Sequence, residues 1–477
     1  MCRGNTADSK CIPLFQEEGF TLTQAEAYYE KMTKTPVSRL IIRLGIPTTV
    51  SMLITSIYNL ADTYFVGELG ESQQAATGIL ITLQAIIQAV AFMLGHGSGT
   101  FVSKALADKN PREATTYAST AFFTGGAAGT LLAVLGLAFL TPFMRFLGST
   151  ETILPYARDY GMWVLIACPF MICSLVLNNN LRYEGKAFYS MIGLTTGGIL
   201  NIFGDYLLIR VWGMGVYGAG LSTAVSQMIS FLILLVLYLR MAQSTISIRA
   251  VSRRWQVYAG IMRVGFPSLI RQGLSSISSG LLNNLTKPFG DAAIAAMSVV
   301  NRFSMLVMCV GLGVGQGFQP VASFNHRAGE YTRVKKGLVF TTVFGLALVS
   351  VLALLGFVWA EPIVRLFQPS DEVVKIGAFA LRASSVGLLF LPLSVPVNML
   401  YQSIRQAGIA SFLSLLRSGM TFIPALLIGS YFWGLTGIQI AQPLADVLTG
   451  LICVPFILHF LHKTPNTAPA AVAEQDT

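Results

Sequence analysis

Charge is what this 477-residue sequence has little of. Only 11% of its residues are charged, against 53% hydrophobic, where a soluble globular chain carries roughly 25% charged residues. So little charge cannot solvate the surface of a soluble chain this long, whereas immersion in a bilayer removes the need. Cysteine is scarce as well. None of the six cysteines forms a C-x-x-C pair, and Cys168 and Cys173 stand five apart inside an apolar run. They read as buried thiols acting as small hydrophobes. There is no H-E-x-x-H, no serine nucleophile elbow and no Walker motif. That excludes ATP-driven pumping by this chain and leaves neither a catalytic centre nor a bound cofactor to expect. Residues 1–40 are polar and of mixed charge, without the apolar core of a signal peptide. The tail from Thr464 to Thr477 is rich in Ala and Pro and reads as disordered.

Long apolar runs are there in number. They fall at 41–66, 74–98, 116–140, 155–178, 188–210, 216–239, 262–286, 293–317, 337–358, 375–400, 409–431 and 435–461. Each is long enough to cross a hydrocarbon core of about 30 Å as a helix, and lipid cannot satisfy a bare backbone in any open form. The expected fold is therefore an all-α integral membrane protein of twelve transmembrane helices. The net charge of +10 sits in short segments between the runs, so a nucleic-acid partner is not expected. Lys104, Lys109 and Arg112, then Arg182 and Lys186, then Arg240, Arg249, Arg253 and Arg254, then Arg327, Arg333, Lys335 and Lys336, and last Arg405 load the even loops. The positive-inside rule then places those loops and both termini in the cytoplasm.

The two halves resemble each other at an offset of about 220 residues. Arg43-Leu-Gly-Ile-Pro47 recurs as Arg263-Val-Gly-Phe-Pro267, and Gly95-His-Gly-Ser-Gly99 as Gly313-Val-Gly-Gln-Gly317. Pro142-Phe-Met-Arg145 recurs as Pro362-Ile-Val-Arg365, and Trp212-Gly213 as Trp433-Gly434. Six helices per half make the repeat parallel, with its axis along the membrane normal. Two such pseudo-symmetric six-helix bundles around a midplane cavity are a transporter plan. The expected organisation is a cytoplasmic N-terminal segment (1–40), an N-terminal six-helix lobe (41–240), a cytoplasmic linker (241–261), a C-terminal six-helix lobe (262–461) and a cytoplasmic tail (462–477).

An ionisable group inside a span costs about 2.5–3.5 kcal/mol on insertion scales, so each needs a reason. Three acids stand inside apolar runs: Asp62, Asp205 and Asp446. Asp62 lies about 30 Å along the first helix from its cytoplasmic start. Asp205 comes late in the fifth helix, with Asn201 four residues before it on the same face. Thr223 comes early in the sixth, which runs the other way. These four oxygen-bearing side chains thus share one depth in one bundle. Two close carboxylates do not both ionise easily, so such a pair exchanges protons as a unit. Carboxylate, amide and hydroxyl oxygens also suit Na⁺, which makes the same four residues the metal ligands if Na⁺ is the coupling ion. Hydrogen-bonded packing polars are the bland account of the cluster.

The other singled-out residues divide between cavity and structure. A cavity between the bundles would be lined from facing helices by Asn59, Gln84, Gln88, Met297, Asn301, Phe303, Met305, Met308 and Gln316, where methionine and aromatic side chains adapt to varied ligands. They also fill ordinary cores. Arg271, in the seventh helix, either snorkels or meets an anionic group. Asp446 either lines the cavity or is structurally paired. Gly95-x-Gly97-x-Gly99 lacks the strand and the ending of a phosphate loop and reads as close helix packing. Asn178, Asn179 and Asn180 read as a cytoplasmic helix cap. His96, His326 and His462 read as solvated or capping histidines without metal-ligand spacing.

At these residues the sequence resembles the multidrug and toxic compound extrusion (MATE) family, in its DinF-like, MepA-like branch. The resemblance covers roughly residues 25–463. It rests on Gly45-Ile-Pro47, Tyr58-Asn-Leu-Ala-Asp-Thr-Tyr-Phe-Val-Gly67, Leu200-Asn-Ile-Phe-Gly-Asp205, Asp291-Ala-Ala-Ile-Ala-Ala-Met297 and Gly315-Gln-Gly-Phe-Gln-Pro320. It implies two lobes in a V, a monomer in a bacterial cytoplasmic membrane, and antiport of organic cations and other small-molecule drugs against H⁺ or Na⁺. It also implies Asp62, Asp205, Asn201 and Thr223 as the coupling residues. The C-terminal-lobe carboxylates of NorM-like relatives are not evident here. The alternative is an exporter of a lipid-linked saccharide or another amphipathic metabolite in the same superfamily. Such flippases carry a strongly cationic cavity, for which the sequence offers only Arg271.

Overall fold

The computed structural model describes residues 17–367 and 370–465. The expected disorder of the tail, and Cys2 and Cys11, fall largely or wholly outside them. Sixteen α-helices follow in order: α1 (Glu17–Lys34), α2 (Val37–Gly67), α3 (Glu71–Ala107), α4 (Pro111–Ala138), α5 (Leu140–Phe146), α6 (Leu154–Tyr183), α7 (Ala187–Asp205), α8 (Gly215–Met241), α9 (Trp255–Thr286), α10 (Asp291–Arg327), α11 (Tyr331–Val358), α12 (Ala360–Phe367), α13 (Asp371–Leu388), α14 (Leu391–Ser403), α15 (Ala407–Leu415) and α16 (Phe422–Lys463). Among the described residues there is no strand.

Nine helical stretches are each long and apolar enough to cross a membrane, and the pair α13–α14, bent by 47°, makes a tenth. One of the nine runs for 57 residues from Ala407 to Lys463, about 85 Å of helix, which is far more than one crossing needs. It breaks at Gly434, whose backbone leaves helical geometry at φ 55° and ψ −129°, a conformation open to a residue without Cβ. That break makes it two spans. The twelfth crossing is α9, 32 residues long, which holds the run 262–286 although it also carries Arg263, Arg271, Gln272 and five serines. The helices extend well past the apolar runs: α9 begins at Trp255 rather than 262, and α3 runs on to Ala107 rather than 98.

The repeat is visible in the helix lengths. Each half has a 37-residue helix, α3 or α10, followed by one of 28 residues, α4 or α11, and both pairs start 220 positions apart. An ion pair also repeats at that offset, Arg145–Glu151 at 2.9 Å and Arg365–Asp371 at 3.0 Å.

The recurring glycine motifs are where the halves meet. A Cβ on Gly97 would fall on the carbonyl of Ile261, and one on Gly265 on that of Met93, so α3 and α9 cross backbone to backbone. The symmetry-related crossing joins α10 to α2, where Gly313 lies on Thr49 and Gly317 on Gly45. Small residues permit this approach without hydrophobic driving force from lipid. All these crossings lie towards the end of the bundle that carries the termini. Further along, Ser56 Oγ and Cys309 Sγ sit 3.2 Å apart. Beyond that level the halves diverge: Gly280 has nothing within 4 Å, and Ile57 and Ile277 are exposed.

Candidate functional site

Two polar features lie between and within the halves, and they are separate. The first is the carboxylate cluster of the N-terminal half. Asp62 stands near the end of α2 and accepts a hydrogen bond from the Tyr160 hydroxyl on α6, 2.7 Å from Oδ2. Tyr160 Oη lies 3.1 Å from Thr223 Oγ1 on α8, and Asn201 Nδ2 on α7 donates to that same Oγ1 at 3.2 Å. With Asp62 ionised, the donors can run in one direction only: amide to threonine, threonine to tyrosine, tyrosine to carboxylate. Ser222 ties α8 to α7 through the Asn201 carbonyl at 3.1 Å. Asp205, one turn after Asn201, is fully buried and within electrostatic reach of Asp62. Directly after it the helix loosens into a π-helical segment, Tyr206–Val211, a feature that recurs at functional sites.

Close packing holds the cluster together. A Cβ on Gly220 would crowd the Tyr160 backbone, so α8 approaches α6 closely enough for Thr223, one turn on, to meet the tyrosine hydroxyl. Four oxygens in the cluster are buried without a hydrogen-bond partner: Asp62 Oδ1, Asn201 Oδ1 and both oxygens of Asp205. Leaving such groups unmet is costly. The unmet groups are all acceptors, the chemistry that a proton or a hard cation satisfies. Among the described residues no group of three His, Cys, Asp or Glu side chains could hold a metal ion.

The second feature is a cavity of about 420 Å³ between the halves. Asn59, Gln88, Asn301, Met305, Met308 and Gln316 line it, as the sequence suggested, together with Tyr58, Phe92, Gln227 and the serine face of α9. That lining explains why α9 is polar. Three of the expected contacts do not reach it. Gln84 is buried within α3, and Met297 is packed into the core with Val364, Leu381 and Phe422. Phe303 packs against Gly356 instead. Placement on a facing helix did not say which of its faces meets the cavity. Neither Asp62 nor Asp205 lines the cavity. Tyr58, on its wall, lies against Gly198 of α7, one turn from Asn201.

Several sequence assignments change in the structure. Arg182 is not a solvated loop charge. It is buried at the floor of the cavity, where it donates to Gln316 of the other half and to Asn179 at 2.6 Å. His96 is likewise buried, with Nδ1 2.7 Å from Ser268 Oγ across the interface. Gln402 donates to the same serine at 2.8 Å and lies 3.3 Å from Gln319. A neutral and cationic polar floor thus joins the halves. Asn178, Asn179 and Asn180 are no surface cap: all three are buried and hydrogen-bonded. Asp446 is ion-paired with Arg417, Nε to Oδ1 at 2.7 Å, and accepts from Gln442 at 3.0 Å. It is Arg417 and Gln442, not Asp446, that line the cavity. Cys168, Cys173, Cys309 and Cys453 are free buried thiols. His326 rests on the Tyr331 ring, and His462 lies 2.8 Å from the Leu458 carbonyl. Sequence reasoning missed Tyr160 and Arg417. The arginine inside the run 409–431 was an available signal for Arg417, and there was none for Tyr160.

Comparison with known proteins agrees with this architecture. The MatE family model matches residues 47–207 and again 267–427, the same segment twice at the offset of the repeat. The multidrug export protein MepA of Staphylococcus saprophyticus is 24% identical over 449 residues, covering 94% of this chain and 98% of its own. MepA of Staphylococcus aureus is 24% identical over 427 residues, covering 89% and 93%. Among solved structures, a MATE protein in the straight conformation superposes with a TM-score of 0.85 at 22% identity, covering 90% of this chain and 98% of that one. An outward-facing multidrug resistance MATE transporter superposes equally well, covering 90% and 97%. A transporter of the wider superfamily from Pyrococcus furiosus, whose description speaks of a binding pocket of reverse polarity, gives 0.84 at 22% identity, covering 90% and 98%.

Proposed function

The chain belongs to the MatE family of multi-pass membrane transporters, and on that footing we propose that it is a secondary active antiporter that exports amphipathic drugs, organic cations among them, in exchange for H⁺ or Na⁺. We place it in a bacterial cytoplasmic membrane with both termini inside, acting as a monomer. The observation that carries the coupling role is the set of unmet oxygens on Asp62, Asn201 and Asp205. They sit beside the cavity but apart from it.

The link between ion and substrate runs through α2. Its residues Thr48, Ser51, Met52, Thr55, Tyr58 and Asn59 line the cavity, and Asp62 on the same helix belongs to the cluster. Pro47 lies inside α2 and has no N–H to give the carbonyl one turn earlier, so the helix has a weak point at which to bend. A proton or Na⁺ on the Asp62–Asp205 pair removes or balances negative charge, releases the one-way donor chain through Tyr160 and lets α2 and α7 re-pack. Substrate and ion then compete for the state open at the far end, as alternating access requires. Closure at the far end must be matched by parting of the glycine crossings and the polar floor at the other. The floor bonds are worth about 0.5–1.5 kcal/mol each between neutral groups and about 1.5–3 kcal/mol where Arg182 donates once water replaces them, which makes them separable.

The test is ethidium transport in proteoliposomes under an imposed pH gradient and a Na⁺ gradient in turn. Drive by ΔpH alone makes the pair proton-titrating. Drive by Na⁺ alone makes Asp62, Asp205, Asn201 and Thr223 its ligands. Transport under neither overturns the multidrug reading. In that case the exporter of a lipid-linked saccharide or another amphipathic metabolite moves ahead, and one observation favours it. Among the described residues lining the cavity none is acidic, whereas Arg182 and Arg417 are both present.

A further inference from the structure

We propose that a recess in the C-terminal half, between Arg271 and Arg417, binds the anionic group of an amphipathic substrate whose apolar body lies in the central cavity. This rests on the transport reading and deepens it.

The recess is lined by Arg271, Arg417, Asn398, Ser394, Ser414 and Ser418, with Met308 and Leu312 at its mouth. Met308, Leu312, Arg417 and Ser418 also line the central cavity, so the two spaces adjoin. Arg271 does not snorkel. It lies about 24 Å along α9 from Trp255 and about 22 Å from Thr286, out of reach of either membrane surface. Among the described residues it has no carboxylate partner. It donates through Nη1 to Asn398 Oδ1 at 3.3 Å, and its other donors have no acceptor among the described residues. Asn398 is itself fixed, its amide donating to the Ala410 carbonyl at 2.8 Å and to Ser414 at 2.9 Å. Arg417 is oriented by Asp446 through Nε at 2.7 Å and touches Met308 Sδ with Nη1 at 3.1 Å, which leaves Nη2 for a ligand.

Charge decides the ligand's sign. Two guanidiniums face the recess and one carboxylate, Asp446, answers them. A buried cation without a counter-ion is costly in a membrane, and an incoming anion removes that cost. Planar guanidiniums with hydroxyls around them suit a phosphate, sulfonate or carboxylate group. The polarity is also opposite to that of the other half, whose buried carboxylates have no basic partner. The repeat has thus been divided into a half that takes a cation and a half that takes an anion.

The experiment is equilibrium binding to the purified protein in neutral-lipid nanodiscs, using two fluorescent probes that share an apolar body: 1-naphthyl phosphate and 1-naphthylmethylammonium. The phosphate is expected to bind at least about tenfold more tightly, to lose that advantage in Arg271→Gln, and to keep most of it in Arg271→Lys. The double substitution Arg417→Gln/Asp446→Asn removes the second guanidinium without stranding its partner, and is expected to weaken the phosphate probe alone. Equal binding of both probes, or an unchanged phosphate affinity in correctly inserted Arg271→Gln, overturns the proposal. Repeating the measurement with phosphatidylglycerol in the disc separates the sources. Competition supports a lipid headgroup as the natural occupant, and insensitivity supports a soluble amphipathic anion. Because binding needs no gradient, failure here leaves the antiport reading standing, and failure of gradient-driven export leaves the subsite standing.

Discussion

Ser103 and Ser323 stand 220 residues apart and make the same bond to each other's helix. Ser323 donates its hydroxyl to the carbonyl of Thr100 at 3.1 Å, and Ser103 donates to the carbonyl of Pro320 at 3.5 Å. Each acceptor lies three residues before the other serine. The crossing of α3 and α10 is therefore a two-fold device at the end where the termini lie, with two hydroxyl bonds set among buried apolar side chains such as Val102, Leu106, Phe318 and Val321. Arg327 and Asp108 add an ion pair at 2.7 Å across the same crossing.

Removing both hydroxyls should loosen that end. Each bond is worth about 0.5–1.5 kcal/mol, so Ser103→Ala/Ser323→Ala is expected to shift the balance towards opening there by roughly 5–150-fold. Ser323→Ala alone should have the larger single effect, since its bond is the shorter. Spin-label distances across the two halves would report the shift, and an unchanged distribution would deny the serines a gating role.

The α3–α9 crossing has no room for even a methyl group. Gly265→Ala places a Cβ against the Met93 backbone, and overpacking of this kind costs about 1–3 kcal/mol. The expected outcome is a protein that inserts but labels faster at a cysteine introduced beside His96, because the closed floor no longer seats.

Asp446 should behave as a structural partner and not as a coupling acid. Asp446→Leu strands Arg417 and is expected to cost up to about 3–5 kcal/mol, whereas removing both charges with well-packed apolar residues should cost much less. A double-mutant cycle on thermal unfolding in detergent reads this coupling.

Glu184, in the loop after α6, gives the fold a pH dependence of its own. It is fully buried and accepts from the Ser244 backbone at 3.3 Å, besides the Ser244 hydroxyl and the Gln243 backbone. Burial pushes its carboxyl above the ordinary glutamate value of 4.5, and the hydrogen bonds and Lys186 pull it partly back. A raised folded value means the folded protein holds the proton more tightly than the unfolded chain. Its stabilising contribution is thus full below 4.5 and is lost as pH rises through the folded value. Unfolding temperatures of Glu184→Gln should lack this decline, and parallel curves for the two proteins would contradict it.

What the sequence disclosed depended on how much a residue stands out from its surroundings. Asp62, Asp205, Asn201 and Thr223 were legible because oxygen-bearing side chains in apolar runs demand a reason. Tyr160 was not, since tyrosine is an ordinary resident of such runs and only the fold shows its hydroxyl bridging Asp62 to Thr223. Arg182 was misplaced because a charge near a helix end looks like a loop charge, and α6 in fact continues to Tyr183. The glycine repeats announced close packing but not their partners: Gly97, Gly313 and Gly317 meet the opposite half, while Gly95 and Gly99 meet α6 of their own. The span of α9 was legible as the run 262–286, but the reason for Gln272 and most of its serines was not, because only the fold shows the cavity they line.

The central claim is that the Asp62–Asp205 cluster couples ion to substrate without holding the substrate. Proteoliposomes containing Asp205→Asn test it by two readings on one sample: ethidium exchange at equal concentrations without a gradient, and uphill ethidium transport under a pH or Na⁺ gradient. The account predicts that exchange persists while uphill transport falls to background under both gradients. Uphill transport at the rate of the unaltered protein would contradict it.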